Sequence, residues 1–582
     1  MNNPGPEAQA NATDGADPRR PLRTRLLDPV VVLTLCAVAL WCSHYYLLLP
    51  GRLYTLKHED DACYYMKIAE NLFHGHPFTF DGINPTNGFH PLWVVLSCPL
   101  FLFTDEPGAY TRLYFGLQYV LFLASGAGIY FVLMKITRGR RVVSAAVSLF
   151  FLLDEYFYKV IINGLETPLF VLLCVLTMWA FLSFGPRAVE DSRAAAALGL
   201  LCSLLVLSRL EGGAVHALAL ALAYGALARR GGRMRPALVF LVTLALPVSF
   251  FAAASAWYNG SPIPVSGAAK RAAAMLGNKW SLLGLINYAT VYDFQFPHAV
   301  KMLRFMGADW ISKMPGIIGD RRSYSAPGGA CAVFSFLLSL VVYALAALAV
   351  AHRCLKQGVQ KEDLALASFS IGAALLVALD KILYKSGVIP YWYPVTYSIA
   401  QILMIGRLIS LLSARTWARP LVRFALVAGL VIALLHFKRQ HDARGRFLAE
   451  PTGYTQWYEE AVWIRKNTPP EAVIAAHNAG IIGFHSRRRV VNLDGLVNSR
   501  EYWERVLAEP DVDRRTRELH RFLREWGVTF FADIYLRSPE DPLAWLRPDG
   551  KRVTMTRVHH IEPTPPDSRG GVIYRIDYGG DE

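Results

Sequence analysis

Residues 59–93 read EDDACYYMKIAENLFHGHPFTFDGINPTNGFHPLW: an acidic pair, a stretch with helical spacing, a run rich in Gly, Asn and Pro, and an aromatic end. This polar stretch is enclosed by apolar sequence. Residues 29–49 lie before it and 110–134 after it, each long enough to cross a bilayer. A spanning helix needs about 20 mostly apolar residues, because its backbone polar groups must be satisfied within the segment. Reading outward on that criterion gives eleven spans: 29–49, 110–134, 142–160, 166–184, 194–209, 212–228, 236–257, 331–351, 364–384, 392–412 and 420–437. The apolar run 91–103 is too short to span and reads as an interfacial or re-entrant helix.

Composition agrees. Hydrophobic residues make up 53% of the chain and charged residues only 18%, against roughly 25% charged in soluble domains. The net charge is +15, and its placement decides its meaning. Residues 438–582 hold 23 basic and 22 acidic side chains, which leaves 37 and 23 to the apolar part. Positive charge distributed among membrane loops reports topology; it gives no support for a nucleic-acid partner. Clusters such as Arg19–Arg25, Arg138–Arg141 and Arg229–Arg235 mark one side as cytoplasmic. On that map, residues 1–28 are a disordered cytoplasmic tail and 29–437 a transmembrane domain. The first outside loop is 50–109 and a long outside loop covers 258–330. Residues 438–582 form an extracytoplasmic domain, and membrane lipids are obligatory neighbours. The first apolar run has no clear cleavage site and reads as a signal anchor.

The C-terminal region reads as α/β. Gly453–Lys466 and Arg514–Trp526 have helical spacing, and Val473–Ala476, Val490–Leu493 and Val528–Ala532 are strand-like. Turns are expected at Gly480, Gly483 and Gly495, and a hairpin over 552–561 and 571–577. Together they predict a partly parallel sheet with an antiparallel edge. All eight cysteines precede this domain and none has CxxC spacing, which argues against a thiolate zinc site.

Ionisable residues near membrane depth are costly and therefore informative. Asp154, Glu155, Glu166, Arg209, Glu211, Asp380 and Lys381 fall near the outer ends of spans, and Asp60 and Asp61 lie in the first outside loop. Adjacent carboxylates suit general-base work, since repulsion and desolvation raise one pKa; they equally suit a solvated loop or a helix cap by Asp61. His58, His74, His76 and His90 share that loop without an established zinc spacing. Glu166, before Pro168, either compensates a helix dipole or binds hydroxyls. Arg209 bridges Glu211 or Glu166, or clamps a phosphate. Lys270 follows a turn-rich lead and suits either phosphate or lipid headgroups. Tyr391 belongs to an aromatic belt or offers a stacking face to a ligand. Asn492, Asp494 and Asn498 are assigned to a turn.

Segment 59–93 resembles the first extracytoplasmic loop of the GT-C superfamily of membrane glycosyltransferases, in the group that includes protein mannosyltransferase-like and lipid A glycosyltransferase-like proteins. The matching features are Asp60–Asp61, Tyr64–Tyr65, Gly75, Asp81–Gly82 and Thr86–Trp93. Asn163–Thr167, Ser208–Glu211 and Pro264–Gly267 with Lys270 follow in order, so the resemblance covers roughly 30–410. Cys63 stands where the group has Tyr. The resemblance implies a polyprenyl-phosphate-linked sugar as donor and a hydroxyl acceptor on a glycan, lipid or protein outside the membrane. With the resemblance added, Asp61 is assigned as base with Asp60 orienting or replacing it, and Glu166, Arg209, Glu211, Lys270, His90 and Tyr391 are the candidate substrate-binding residues. No cofactor is assigned, and a divalent metal stays open because superfamily members differ. Two other functions compete: a flippase or transporter of a lipid-linked sugar, and a non-catalytic assembly subunit on the same scaffold.

Overall fold

The computed structural model of the chain describes residues 22–47, 59–229, 232–269, 360–384, 395–413, 415–424, 426–429, 431, 434, 453–533, 554–561 and 570–578. Five helices among them are long and apolar enough to cross a membrane: Pro107–Ile136, Thr167–Ala188, Leu210–Ala228, Met234–Asn259 and Val395–Leu412. Shorter apolar helices include Arg141–Leu153 and Ser192–Ser208. This is a helical membrane protein.

In chain order the membrane body comprises α1 (Leu22–Leu47), α2 (Asp61–Phe73), α3 (Pro91–Ser97), α4 (Pro107–Ile136), α5 (Arg141–Leu153), α6 (Glu155–Ile161), α7 (Thr167–Ala188), α8 (Ser192–Ser208), α9 (Leu210–Ala228), α10 (Met234–Asn259), α11 (Lys361–Tyr384) and α12 (Val395–Leu412). Helix α4 packs on α7, α7 on α8, α8 on α10, and α9 on α11. The expected span 142–160 is broken. Helix α5 stops at Asp154, whose extended backbone and buried carboxylate cap the start of α6 through Phe157 N–H at 3.4 Å. The run 91–103 is indeed short: α3 continues only as a 3-10 turn, Cys98–Leu102. Span 331–351 and parts of 420–437 lie outside the described residues.

The C-terminal domain contains α13 (Gly453–Asn467), β1 (Val473–Ala476), α14 (Ala479–Ser486), β2 (Arg489–Asn492), α15 (Val512–Glu525), β3 (Val528–Asp533), β4 (Thr554–Ile561) and β5 (Gly571–Asp577). Its sheet order is β2-β1-β3-β5-β4. β1 is parallel to both neighbours, and β5 antiparallel to β3 and β4. This is the expected sheet. The apolar strand VIAA is buried along its whole length, as a central parallel strand should be. Two of the expected turns are corrected: Gly480 and Gly483 lie inside α14. Their task is close approach. A Cβ on Gly480 would sit 2.2 Å from the Asp60 carbonyl oxygen, and one on Gly483 would sit 2.6 Å from the Phe80 ring. Spaced three apart, they present one bare helix face, along which the C-terminal domain settles on α2 and its following loop.

Candidate functional site

Helix α2 organises the site. Asp61 is its first residue, and positions three and four further on are Tyr64 and Tyr65, so all three side chains project from one face. Tyr64 and Tyr65 diverge from there. The Tyr64 hydroxyl donates to Asp494 Oδ2 at 3.2 Å and accepts from Asn492 Nδ2 at 3.1 Å, both in the C-terminal domain. The Tyr65 hydroxyl donates to Glu166 Oε2 at 2.9 Å, in the membrane body. Asp61 is thus framed by two phenols, each holding a different acid. Burial, and then the Asp494 charge, push the Tyr64 phenol well above its usual value; burial and Glu166 do the same to Tyr65. Both remain donors.

Asp60, not Asp61, occupies the N-cap position of α2, and its side chain does not cap that helix. Its carboxylate accepts from Gly480 N–H at 3.0 Å and Ile481 N–H at 2.6 Å, at the start of α14. A carboxylate at a helix N-terminus meets unpaired donors and the positive end of the dipole. The adjacent acids therefore have different surroundings: Asp60 fastens the domains, and Asp61 lies on the face between the tyrosines. Burial raises the Asp60 pKa to about 7, with the Asp61 and Asp494 charges adding to the rise and the two amides opposing it. Asp494 is likewise raised to about 7, by desolvation first and with a contribution from Asp61, against the Leu496 amide, which donates to it at 2.8 Å. Asp494 does form the expected turn, and it also reaches α2.

The second acid, Glu166, is only 3% exposed. It precedes α7 and makes no side-chain cap there. Its Oε1 lies 3.6 Å from Arg209 Nε and 3.5 Å from His90 Nε2; the same Arg209 Nε lies 3.6 Å from Glu211 Oε1. His90 Nδ1 accepts from Leu210 N–H at 3.3 Å, which assigns the ring proton to Nε2, facing Glu166. Four of the expected binding residues, Glu166, Arg209, Glu211 and His90, are therefore brought together. Lys270 and Tyr391 lie outside the described residues, as do His58 and the side chains of Asp380 and Lys381.

The remaining motif residues hold this arrangement in place. Gly164, at φ +89°, lies where a Cβ would meet the Ala62 Cβ at 2.3 Å. Its carbonyl accepts from Tyr114 at 2.7 Å, Tyr114 accepts from Trp93 Nε1 at 2.5 Å, and Gln118 bonds both Gly164 N–H and the Leu165 carbonyl. Asn87 donates to Ser255, Ser261 and Ile263 and accepts from Asn259 and Val265, tying the first loop to the Pro264–Gly267 motif. Gly88 lets the C-terminal domain in: a Cβ there would lie 1.8 Å from the Leu496 carbonyl oxygen. Among the described residues no three His, Cys, Asp or Glu side chains are placed to hold a metal ion.

Residues 445–552 match a family model described as a domain of unknown function, DUF8728. No curated protein matches the chain significantly. Among solved structures, the chain is similar to the archaeal oligosaccharyltransferase AglB of Archaeoglobus fulgidus in complex with an inhibitory peptide and a dolichol-phosphate. That likeness has 12% identity, covers 89% of this chain and 70% of that one, and has a TM-score of 0.52. The oligosaccharyltransferase of the same organism, tethered to an acceptor peptide, is similar at 12% identity over 95% and 74%, with a TM-score of 0.50. ArnT from Cupriavidus metallidurans bound to undecaprenyl phosphate matches at 13% identity over 96% and 98%, with a TM-score of 0.49. The two oligosaccharyltransferase likenesses establish the architecture: the chain has the GT-C fold.

Proposed function

We propose that this protein is a membrane glycosyltransferase that moves a sugar from a polyprenyl-phosphate-linked donor to a hydroxyl acceptor, a glycan, lipid or protein, on the extracytoplasmic side. The observation that carries the reading is the face of α2, where Asp61 lies between Tyr64 held by Asp494 and Tyr65 held by Glu166. The oligosaccharyltransferase of matching fold was solved with a dolichol-phosphate, which is consistent with a lipid-phosphate donor.

In the proposed reaction Asp61 accepts the proton of the acceptor hydroxyl as that oxygen bonds to the anomeric carbon. The bond from that carbon to the donor phosphate breaks, and the lipid phosphate leaves with the bonding electrons. A single displacement of this kind inverts the anomeric centre; inversion is carried by the family resemblance. Arg209 offers the departing phosphate a charge-assisted partner, and Lys270 is a second cation proposed for it. Glu166, Glu211 and His90 are suited to sugar hydroxyls, and Tyr391 to a sugar face. The eleven-span topology, with a cytoplasmic N-terminus and an extracytoplasmic C-terminal domain, belongs to the same proposal: a lipid-borne sugar presented at the outer leaflet would then meet the acids directly.

Purified protein in liposomes, supplied with a panel of polyprenyl-phosphate sugars and hydroxyl acceptors, tests the reading. Donor consumption with a glycosylated product is expected. Movement of the intact lipid across the bilayer would instead make it a flippase, and binding without consumption would make it an assembly subunit. Impermeant thiol labelling in intact cells should modify a cysteine at 500 and not one at 232; the reverse pattern would overturn the topology.

A further inference from the structure

The three consecutive arginines after α14 have separate surroundings. Arg487, the C-cap of that helix, takes a left-handed backbone at φ +56° and donates from Nη2 to the Asp105 carbonyl, just ahead of α4. Arg488 donates from Nη2 to the Arg465 and Thr468 carbonyls, each at 2.8 Å, and so fastens the end of α13. Arg489 opens β2 with its side chain exposed, and Arg465 and Lys466 are exposed at the end of α13. Arg465, Lys466 and Arg487–Arg489 thus put five cations where the C-terminal domain meets the loop before α4. The acids beside them are Asp105, Glu106 and Glu471. Glu106 is engaged by the Gly108 and Ala109 amides, and Asp105 Oδ1 lies 3.7 Å from His74 Nε2. Among the described residues, none of Arg465, Lys466, Arg487 and Arg489 forms an ion pair with an acid.

The depth of this junction is set by α4. Its 30 residues span about 45 Å at 1.5 Å per residue, which matches a bilayer with both headgroup regions, about 40–45 Å. Pro107 and the loop before it therefore lie at headgroup depth, and the Arg487–Asp105 bond brings the basic cluster to the same level. Just ahead of that loop, at the end of the 3-10 turn, Leu102 and Phe103 are 72% and 76% exposed, and Val95 and Leu96 on α3 are exposed as well. Large apolar side chains beside cations at this depth fit the two layers of a lipid surface, acyl boundary and phosphate. We infer that the C-terminal domain rests on the leaflet on its own side of the membrane: Leu102 and Phe103 enter the acyl boundary, and Arg465, Lys466, Arg487 and Arg489 take the phosphates of anionic phospholipids. The contact bears on docking. The cluster sits at the far end of the same helix, α14, whose first amides hold Asp60, so an anionic leaflet holds the domain against α2.

Hydrogen exchange of the full chain in nanodiscs tests this without any turnover. Discs of phosphatidylcholine are compared with discs in which about 30% is replaced by the anionic phosphatidylglycerol. The anionic discs should slow amide exchange across α14 and residues 487–492 by about tenfold, and about 0.5 M salt should abolish the difference. Arg465→Gln, Lys466→Gln and Arg489→Gln together spare the side-chain bonds of Arg487 and Arg488. They should remove most of the lipid dependence while leaving exchange in phosphatidylcholine discs unchanged. Arg465→Lys with Arg489→Lys should retain the dependence, because the charge is kept. Arg514→Gln with Arg521→Gln, exposed cations on α15 of the same domain, should leave it intact. Leu102→Ser with Phe103→Ser should speed exchange in both kinds of disc. Exchange that ignores phosphatidylglycerol, or a lipid dependence lost equally in the α15 variant, overturns the inference. Protection by inorganic phosphate in phosphatidylcholine discs would overturn it too, since the cluster would then be an anion site and not a lipid surface.

Discussion

Two arginines buried beside carboxylates, near the two ends of the membrane body, are built differently. Arg407 on α12 lies 3.0 Å from Asp363, the third residue of α11, and also donates to the Ile136 carbonyl at the end of α4. Arg209, between α8 and α9, stands 3.6 Å from each of two acids, Glu166 and Glu211, with its guanidinium 5.6 Å from the Phe170 ring centre. Helix α4 separates them: Tyr114 holds the Glu166 loop, and Ile136 lies roughly 33 Å further along at 1.5 Å per residue. Arg407 meets Asp363 within hydrogen-bond length. Arg209 has two acids around it at looser separations, one of which also faces His90. Tight pairing locks helices together; surplus acid at looser range leaves groups able to engage a substrate. The lesson is that equal burial does not mean equal purpose.

The comparison can be broken at either end. Arg407→Leu leaves Asp363 buried without its partner and should cost about 3–5 kcal/mol, read as a lower melting temperature in detergent. Pairing it with Asp363→Leu should recover much of that loss, while transfer per folded molecule stays near wild type. Loss of turnover without loss of stability would make the Arg407–Asp363 pair functional and end the distinction. At the Arg209 end the pattern should invert. Arg209→Lys keeps the charge but loses the planar fork; turnover should fall about 30-fold, roughly 2 kcal/mol of transition-state stabilisation, with little change in melting.

Smaller changes sharpen the picture at the Arg209 end. Tyr65→Phe removes one hydrogen bond from Glu166 and should reduce kcat/KM several-fold, about 1 kcal/mol, without altering domain docking. Asp60 is expected to affect stability more than turnover. Its folded pKa of about 7 lies above its ordinary value of 3.8. Its contribution is therefore fully present below about pH 4 and is lost as pH rises through about 7. Asp60→Asn should flatten that part of the melting curve against pH, with a change under about 1 kcal/mol at neutral pH. A slope unchanged from wild type would remove Asp60 from the domain contact.

Much of this was readable from local pattern. The α/β order of the C-terminal domain followed from strand and helix spacing, and the GT-C fold from the motif at 59–93. The gathering of Glu166, Arg209 and Glu211 was foreshadowed by their shared position at expected outer span ends, and His90 by its place in the first loop. What was not readable depended on tertiary contact. Nothing near Asp60 announces that its acceptors are the amides of Gly480 and Ile481. Gly480 and Gly483 look like turn residues until α2 and Phe80 are seen pressed against them. Asp494 has Asp-Gly turn chemistry, which masked its reach to Tyr64. The one available hint was helical spacing, since Asp61, Tyr64 and Tyr65 fall on one face of the run from residue 61. The break at Asp154 was hidden by apolar residues on both sides.

The central claim is that Asp61 is the base, and Asp61→Asn tests it most directly. The substitution keeps size and polarity at the first position of α2 while removing the proton acceptor. Wild type and variant are reconstituted together, and donor binding, domain docking and sugar transfer are measured on the same samples. The account predicts intact docking, near-normal donor binding and transfer reduced about 100-fold or more, the scale of general acid–base catalysis. A folded, donor-binding Asp61→Asn protein that transfers sugar at close to the wild-type rate would contradict it.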